Sequence, residues 1–212
     1  MLLTHKNTGL FWELQEYFEK LETANLSEER KLLLNSITEY IASKAAANYA
    51  IRLNFICTHN SRRSHLAQIW AQTAAAYFNI DEVFCYSGGT EVTAVYPMVI
   101  TTLENAGFKI SKENKLSNPL FKITYSETAP PIFAFSKKYS DAPNPKSHFA
   151  AVMTCGQADA GCPFVAGSEK RFPLLYEDPK ISDGTPQQQR VYKERSEQIA
   201  TEMKYIFSKI AL

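Results

Sequence analysis

Ile51-Arg52-Leu53-Asn54-Phe55-Ile56-Cys57-Thr58-His59-Asn60-Ser61-Arg62-Arg63-Ser64 reads as an apolar strand running straight into a loop. Ile51, Leu53, Phe55 and Ile56 supply the strand. Leu66, Ile69, Trp70, Ala74 and Tyr77 then recur at helical spacing, so the loop closes into the N-terminus of an amphipathic helix. That context gives the string Cys57-x5-Arg63-Ser64 a physical meaning. Backbone N–H groups of such a loop converge on one spot, and the helix dipole adds positive charge there. Arg63 offers a planar fork to two oxygens of a tetrahedral oxyanion. The same field favours the Cys57 thiolate, since a cysteine near ~8.5 is lowered at cationic helix N-termini. Ser64 can donate to that sulfur or to a leaving group, and Asn60 tolerates the left-handed backbone that a tight anion loop requires.

Outward from this segment, the pattern alternates. Val83–Tyr86 reads as a second strand closed by Ser87-Gly88-Gly89, and a helix is expected over 93–106, stopping at Gly107. Residues 119–147 hold five prolines and two apolar runs, Phe121–Tyr125 and Ile132–Phe135, and predict short strands with long turns. Phe149–Thr154 is a strand ending at Cys155. Arg171–Tyr176 is a short strand ending near Asp178-Pro179. Thr185-Pro186 predicts the N-cap and first turn of a last helix reaching about Ile210. Strands alternating with helices predict an α/β fold with a parallel sheet.

The first fifty residues carry no catalytic pattern. Phe11, Leu14, Phe18 and Leu21 mark one helix face over 9–22. Ser27 caps a second helix that carries Leu33, Leu34, Ile37 and Ile41 inward to about Ala47. The expectation is a helical hairpin that serves packing or dimerisation. The chain has 212 residues, 45% hydrophobic and 21% charged, with formal net charge +1. No block of like charge points to nucleic acid or to a membrane surface. Thr4, His5 and Lys6 break the apolar start after Leu2 and Leu3, so a cytoplasmic protein without a signal peptide is expected.

Of the four cysteines, Cys85 lies mid-strand and reads as a core thiol. Cys155 and Cys162 stand seven positions apart, with Gly156 and Gly161 between them, in a segment able to bend or unwind. With His148 they could suggest zinc, but they lack a C-x2-C unit, so neither metal nor cofactor is expected.

The loop Cys57-Thr58-His59-Asn60-Ser61-Arg62-Arg63-Ser64 resembles the phosphate loop of the low-molecular-weight protein tyrosine phosphatases. It is more similar still to the thioredoxin-coupled arsenate reductases that share their fold. Tyr86-Ser87-Gly88-Gly89-Thr90-Glu91, Thr154-Cys155-Gly156, Cys162-Pro163 and Asp178-Pro179 add to the resemblance, which covers about residues 50–212. It implies a three-layer α/β fold with a central parallel sheet of about four strands over 49–212, and the helical hairpin of 1–48 as an extension. It implies that Cys57, Arg63 and Asp178 are catalytic, with Asp178 as the acid. Thr58, His59, Asn60, Ser61, Arg62 and Ser64 would hold the oxyanion. Cys155 and Cys162 would relay electrons from thioredoxin to arsenate. The family loop has Gly and Cys where this chain has His59 and Arg62, and Arg62 is expected to add positive charge at the mouth. A phosphatase acting on phosphate esters through a Cys57 phosphoenzyme, and a redox-sensing or oxyanion-binding regulator that dimerises through residues 1–48, are the alternatives.

Overall fold

The computed structural model describes residues 8–162 and 164–210. The apolar start at Leu2 and Leu3, and Pro163 of the second cysteine motif, lie outside them.

A four-stranded parallel sheet, in the order β2-β1-β6-β7, organises the chain: β1 Ile51–Cys57, β2 Val83–Gly89, β6 Phe149–Met153 and β7 Ser168–Pro173. β1 is central. It is buried along almost its whole length, as a strand covered on both faces must be. Its side chains divide with a period of two. Ile51, Leu53 and Phe55 enter the main core, together with Ala150 and Val152 of β6. Ile56 faces the other way, into a smaller cluster with Phe149, Ala151, Met153, Cys155, Ala158 and Val165, and Cys57 joins that cluster at the strand end, where the alternation stops. Along 51–56 the two clusters are therefore the two faces of one sheet.

The main core is roofed by α3 Arg63–Tyr77 and α6 Gln188–Ser208, with α4 Pro97–Asn105 against α6. Trp70 is fully buried among them; Phe108 meets its ring edge-on and Phe18 stacks on it. Among the described residues, the helix over the opposite face is the short α5, Gly156–Gly161, with Tyr139 and Val165 beside it. α1 Trp12–Glu19 and α2 Glu28–Ala46 both pack on α6 and share the main core, through Leu14, Phe18, Leu34, Ile37 and Ile41. Ser27 caps α2 by accepting from the Arg30 amide at 3.2 Å. Arg30 in turn donates twice to Glu202 of α6, both at 2.8 Å. Glu202 is 1% exposed and also accepts from the Tyr176 hydroxyl. Arg30 is 22% exposed and Glu202 buried, so losing Arg30 would leave a buried carboxylate short of its charged partner, and this contact ties α2 to α6.

Several boundaries differ from the expectations. α1 spans Trp12–Glu19 within the expected 9–22, with Phe11 as its N-cap and Leu21 beyond its end. β2 runs on through Ser87-Gly88-Gly89, because those three residues pair with Phe55, Ile56 and Cys57. α4 begins at Pro97 with Tyr96 as N-cap, proline being suited to the first turn. β7 sits at 168–173 because its partner β6 sets the register. α6 starts at Gln188, while Thr185-Pro186 belongs to a turn closed by Gln188 N–H on the Thr185 carbonyl. A second, antiparallel sheet, β3 Lys109–Lys112, β4 Phe121–Thr124 and β5 Ile132–Ala134, was also not foreseen as a sheet. Ile110 alone marked β3 as apolar. No helix among the described residues is long and apolar enough to cross a membrane.

Glu169 opens β7 and ties it to α2. Burial would raise its carboxyl, but hydrogen bonds from Lys44, Tyr40 and His148 outweigh that and bring it down to about 2. A depressed acid stabilises the fold above its unfolded value and stops doing so as pH falls through the folded one. Unfolding by urea should therefore show wild type losing stability between pH 4.5 and about 2, and Glu169→Gln losing less over the same interval.

Candidate active site

β1 ends at Cys57 and α3 begins at Arg63, so the five-residue connection is set by the sheet on one side and the helix on the other. Arg62 is the N-cap and gives no side-chain cap, which leaves the first amides of α3 open. The loop carbonyls are all engaged on the outside. Cys57 accepts from Thr90 N–H, Thr58 from Glu91 N–H, His59 from the Ser136 hydroxyl, Asn60 from His65 and Ser61 from Tyr96 N–H. A peptide whose carbonyl points out turns its N–H in, so this outer ring makes the inner face a cradle of donors.

Asn60 holds the cradle in shape. It is fully buried with φ +44°. Its N–H donates to Cys57 Sγ at 3.2 Å, its Nδ2 donates to Ser64 Oγ at 2.9 Å, and its Oδ1 accepts from Lys137 N–H at 3.0 Å. Because Ser64 Oγ receives from Asn60, its own proton can point at Cys57 Sγ, 3.1 Å away. Beneath the loop, burial brings His65 down to about 3, with the Lys137 charge adding to the effect. A neutral ring donates from Nε2 to the Asn60 carbonyl and accepts at Nδ1 from Ser87 Oγ, at 3.0 and 3.2 Å. Lys137, itself buried and lowered by burial to about 8, completes the floor.

Arg63 and Arg62 are neighbours with different destinations. Arg63 is 9% exposed; its Nη1 donates to the Tyr176 carbonyl at 3.0 Å and its Nη2 to Asp178 Oδ2 at 2.5 Å. Asp178 caps a short 3-10 turn, Pro179–Ser182, by accepting from Lys180 N–H. Cradle and acid loop are thus joined by one ion pair. Arg62 is held by the Tyr192 hydroxyl and Asp183, each at 2.5 Å, and lies over the Tyr96 ring at 4.1 Å. Its charge is spent on α6 and the turn before it. The expected extra positive charge at the mouth is thereby corrected: Arg62 offers the cradle only its backbone. His59 pairs with Glu91 at 3.4 Å and is 39% exposed.

Cys155 caps α5, accepting from Ala158 N–H at 3.4 Å, and its sulfur lies 3.4 Å from Thr58 Oγ1, on the residue after Cys57. Cys162 sits at the other end of α5, half-buried, and packs on the same small cluster. Cys85 is in the main core, its thiol pushed up by burial. Among the described residues no three His, Cys, Asp or Glu side chains gather as a metal site; His148 faces Glu169. Arg63, Cys155, Gln157, Asp178, Lys180 and Arg195 are among the residues lining a cleft of about 1120 Å³. Sequence reasoning missed His65, Lys137, Asp183, Tyr192 and Arg195. His65 adjoins the motif, whereas the others arrive from 70 or more positions away, and no local signal marks them.

Gly89 shows how tightly the ring closes. A Cβ there would lie 2.7 Å from the Thr58 carbonyl oxygen and 2.8 Å from the Asn60 nitrogen, with the Glu91 carbonyl nearer still. Gly89→Ala should force the loop outward and cost roughly 1–3 kcal/mol. Calorimetric titration with phosphate should show binding weakened in a variant that remains folded by circular dichroism.

No family model matches the chain. It is 30% identical over 125 residues to arsenate reductase 2 of Staphylococcus haemolyticus, covering 59% of this chain and 76% of that protein. It is 28% identical over 141 residues to an arsenate reductase of Bacillus licheniformis, covering 66% and 83%. A low-molecular-weight protein tyrosine phosphatase from T. tengcongensis overlays on 75% of this chain and 99% of its own, at 16% identity and a TM-score of 0.49. With the parallel sheet and the Cys57–Arg63 cradle already in place, the Staphylococcus match assigns the chain to the arsenate reductase family.

Proposed function

We propose that this protein reduces arsenate through a Cys57, Cys155 and Cys162 relay re-reduced by thioredoxin, with residues 49–212 as the catalytic unit. The observation that carries the reading is the sharing of one small cluster by all three sulfurs, apart from the main core that holds Cys85. A hydrolytic enzyme has no use for Cys155 and Cys162 beside its nucleophile.

In this mechanism arsenate displaces Asp178 from Arg63 and settles on the loop amides of Thr58 to Ser64. The Cys57 thiolate attacks arsenic, and an oxygen protonated by Asp178 leaves as water. Cys155 then attacks Cys57 Sγ. The sulfur–arsenic bond breaks with its electron pair going to arsenic, which departs as arsenite. Cys162 attacks Cys155, and Cys57 leaves as thiolate. The Cys155–Cys162 disulfide passes its oxidation to a thioredoxin dithiol. Thr58 Oγ1, between the loop and Cys155, is placed to guide the second sulfur.

The alternative, hydrolysis of phosphate monoesters through a Cys57 phosphoenzyme, is favoured by the 1120 Å³ cleft, which has room for far more than an inorganic oxyanion. In that reaction Asp178 protonates the ester oxygen and later activates water.

NADPH consumption with arsenate, thioredoxin and thioredoxin reductase tests the proposal. Turnover should be sustained in wild type and abolished by Cys57→Ser and Cys155→Ser. Cys162→Ser should stop after about one equivalent of arsenite, stalled at the Cys57–Cys155 disulfide. Normal cycling by that variant would remove the relay. In a parallel assay with an aryl phosphate, Asp178→Asn should slow hydrolysis by roughly 10²–10⁴, and a hydrolase inert toward arsenate would make the alternative the function.

A further inference from the structure

The relay requires Cys162 to reach Cys155, and α5 stands between them. Seven residues along a helix span roughly 10 Å, whereas a disulfide joins Cα atoms about 5.5–6 Å apart. α5 must therefore unwind before the second disulfide can form. By itself it is a weak helix. It is six residues long and contains Gly156 and Gly161. A Cβ at either glycine would meet nothing within 4 Å, so packing does not demand them, and each costs about 1 kcal/mol of helix relative to Ala.

One side chain from outside the helix counteracts this weakness. Arg171, on edge strand β7, places Nη2 2.5 Å from the Asp159 carbonyl oxygen and 2.5 Å from Asp159 Oδ1. Asp159 is the middle of the Cys155–Cys162 segment, and its own N–H donates to the Cys155 carbonyl at 3.0 Å. The carbonyl contact exists only while the segment keeps its helical path. The pair is about a quarter exposed, 25% for Arg171 and 27% for Asp159, so water can replace it once it opens.

We propose that Arg171 is a positioning residue that latches α5 in the dithiol state, and that its release from Asp159 governs closure of the Cys155–Cys162 disulfide. This rests on the relay above for its role in turnover. In the exchange itself Cys162 loses its proton, the Cys155–Cys162 bond forms, the Cys57–Cys155 bond breaks, and Cys57 leaves as thiolate, with no net change of oxidation state. The latch holds Cys155 as the cap of α5, beside Thr58, for the first exchange. It then slows the second until α5 opens.

The test separates the latch from the arsenate chemistry. In a Cys57→Ser background, oxidised glutathione serves as the oxidant, and Cys155–Cys162 formation is followed by quenching with an alkylating agent and mass analysis. Arg171→Gln should close the disulfide about tenfold faster or more, the scale of one lost charge-assisted hydrogen bond. Arg171→Lys should fall between the two, and α5 amides should exchange hydrogen faster in Arg171→Gln. Asp159→Asn, which keeps the carbonyl contact, should give a smaller acceleration and carries the test if Arg171→Gln does not fold. Closure that is unchanged or slower in the folded variants overturns the latch. If closure accelerates while the parent protein fails to reduce arsenate, the latch stands and the relay falls.

Discussion

Asn60 is the constraint on which the site depends. One buried residue with a positive φ closes the loop, aims its amide at Cys57, donates to Ser64 and accepts from Lys137. Each of those contacts fixes a different wall. Ser64 is on α3, Lys137 comes from the segment after β5, and His65 bolts the Asn60 carbonyl to Ser87 of β2. A buried polar network of this kind stabilises only when every member is satisfied, so the cradle has one shape or none. This accounts for the two glycines that end β2. A Cβ on Gly88 would lie 2.6 Å from the Tyr139 nitrogen, and one on Gly89 would press into the loop itself.

The two arginines at the start of α3 show how one position of offset divides labour. Successive residues at a helix start point about 100° apart. Arg63 turns toward Asp178 and the cleft, and Arg62 toward Tyr96, Tyr192 and Asp183. The first connects the Cys57–Arg63 loop to Asp178. The second anchors the same loop to α6, the helix that also receives α1, α2 and α4. The N-terminal helices therefore bear on the site through α6, and the Arg30–Glu202–Tyr176 network carries the connection to within two residues of Asp178.

The sheet sorts the sulfurs by chemistry. Cys85 points into the helix-covered face, where burial raises its thiol. Cys57 and Cys155 belong instead to the smaller cluster, on which Cys162 also packs. Among the described residues α5, Val165 and Tyr139 cover that cluster, a lighter layer than the long helices over the main core.

Local sequence was enough for the strand Ile51–Cys57, the helix that follows, the capped start at Ser27 and the cradle residues Cys57, Asn60, Arg63 and Ser64. Each is written in periodicity, capping chemistry or a motif within a few residues. Even the family resemblance rests on such short stretches. Tertiary structure decided what depends on residues far apart in the chain. It set the length of β2, whose glycines pair only because β1 lies beside them, and the second sheet, whose strand Lys109–Lys112 has almost no apolar signal. It also decided that Arg62 faces α6, that Lys137 and His65 floor the loop, and that Arg171 grips Asp159. The reason is that hydrogen-bond partners and burial are properties of juxtaposition. A sequence states which groups need partners, and only the folded chain brings those partners within reach.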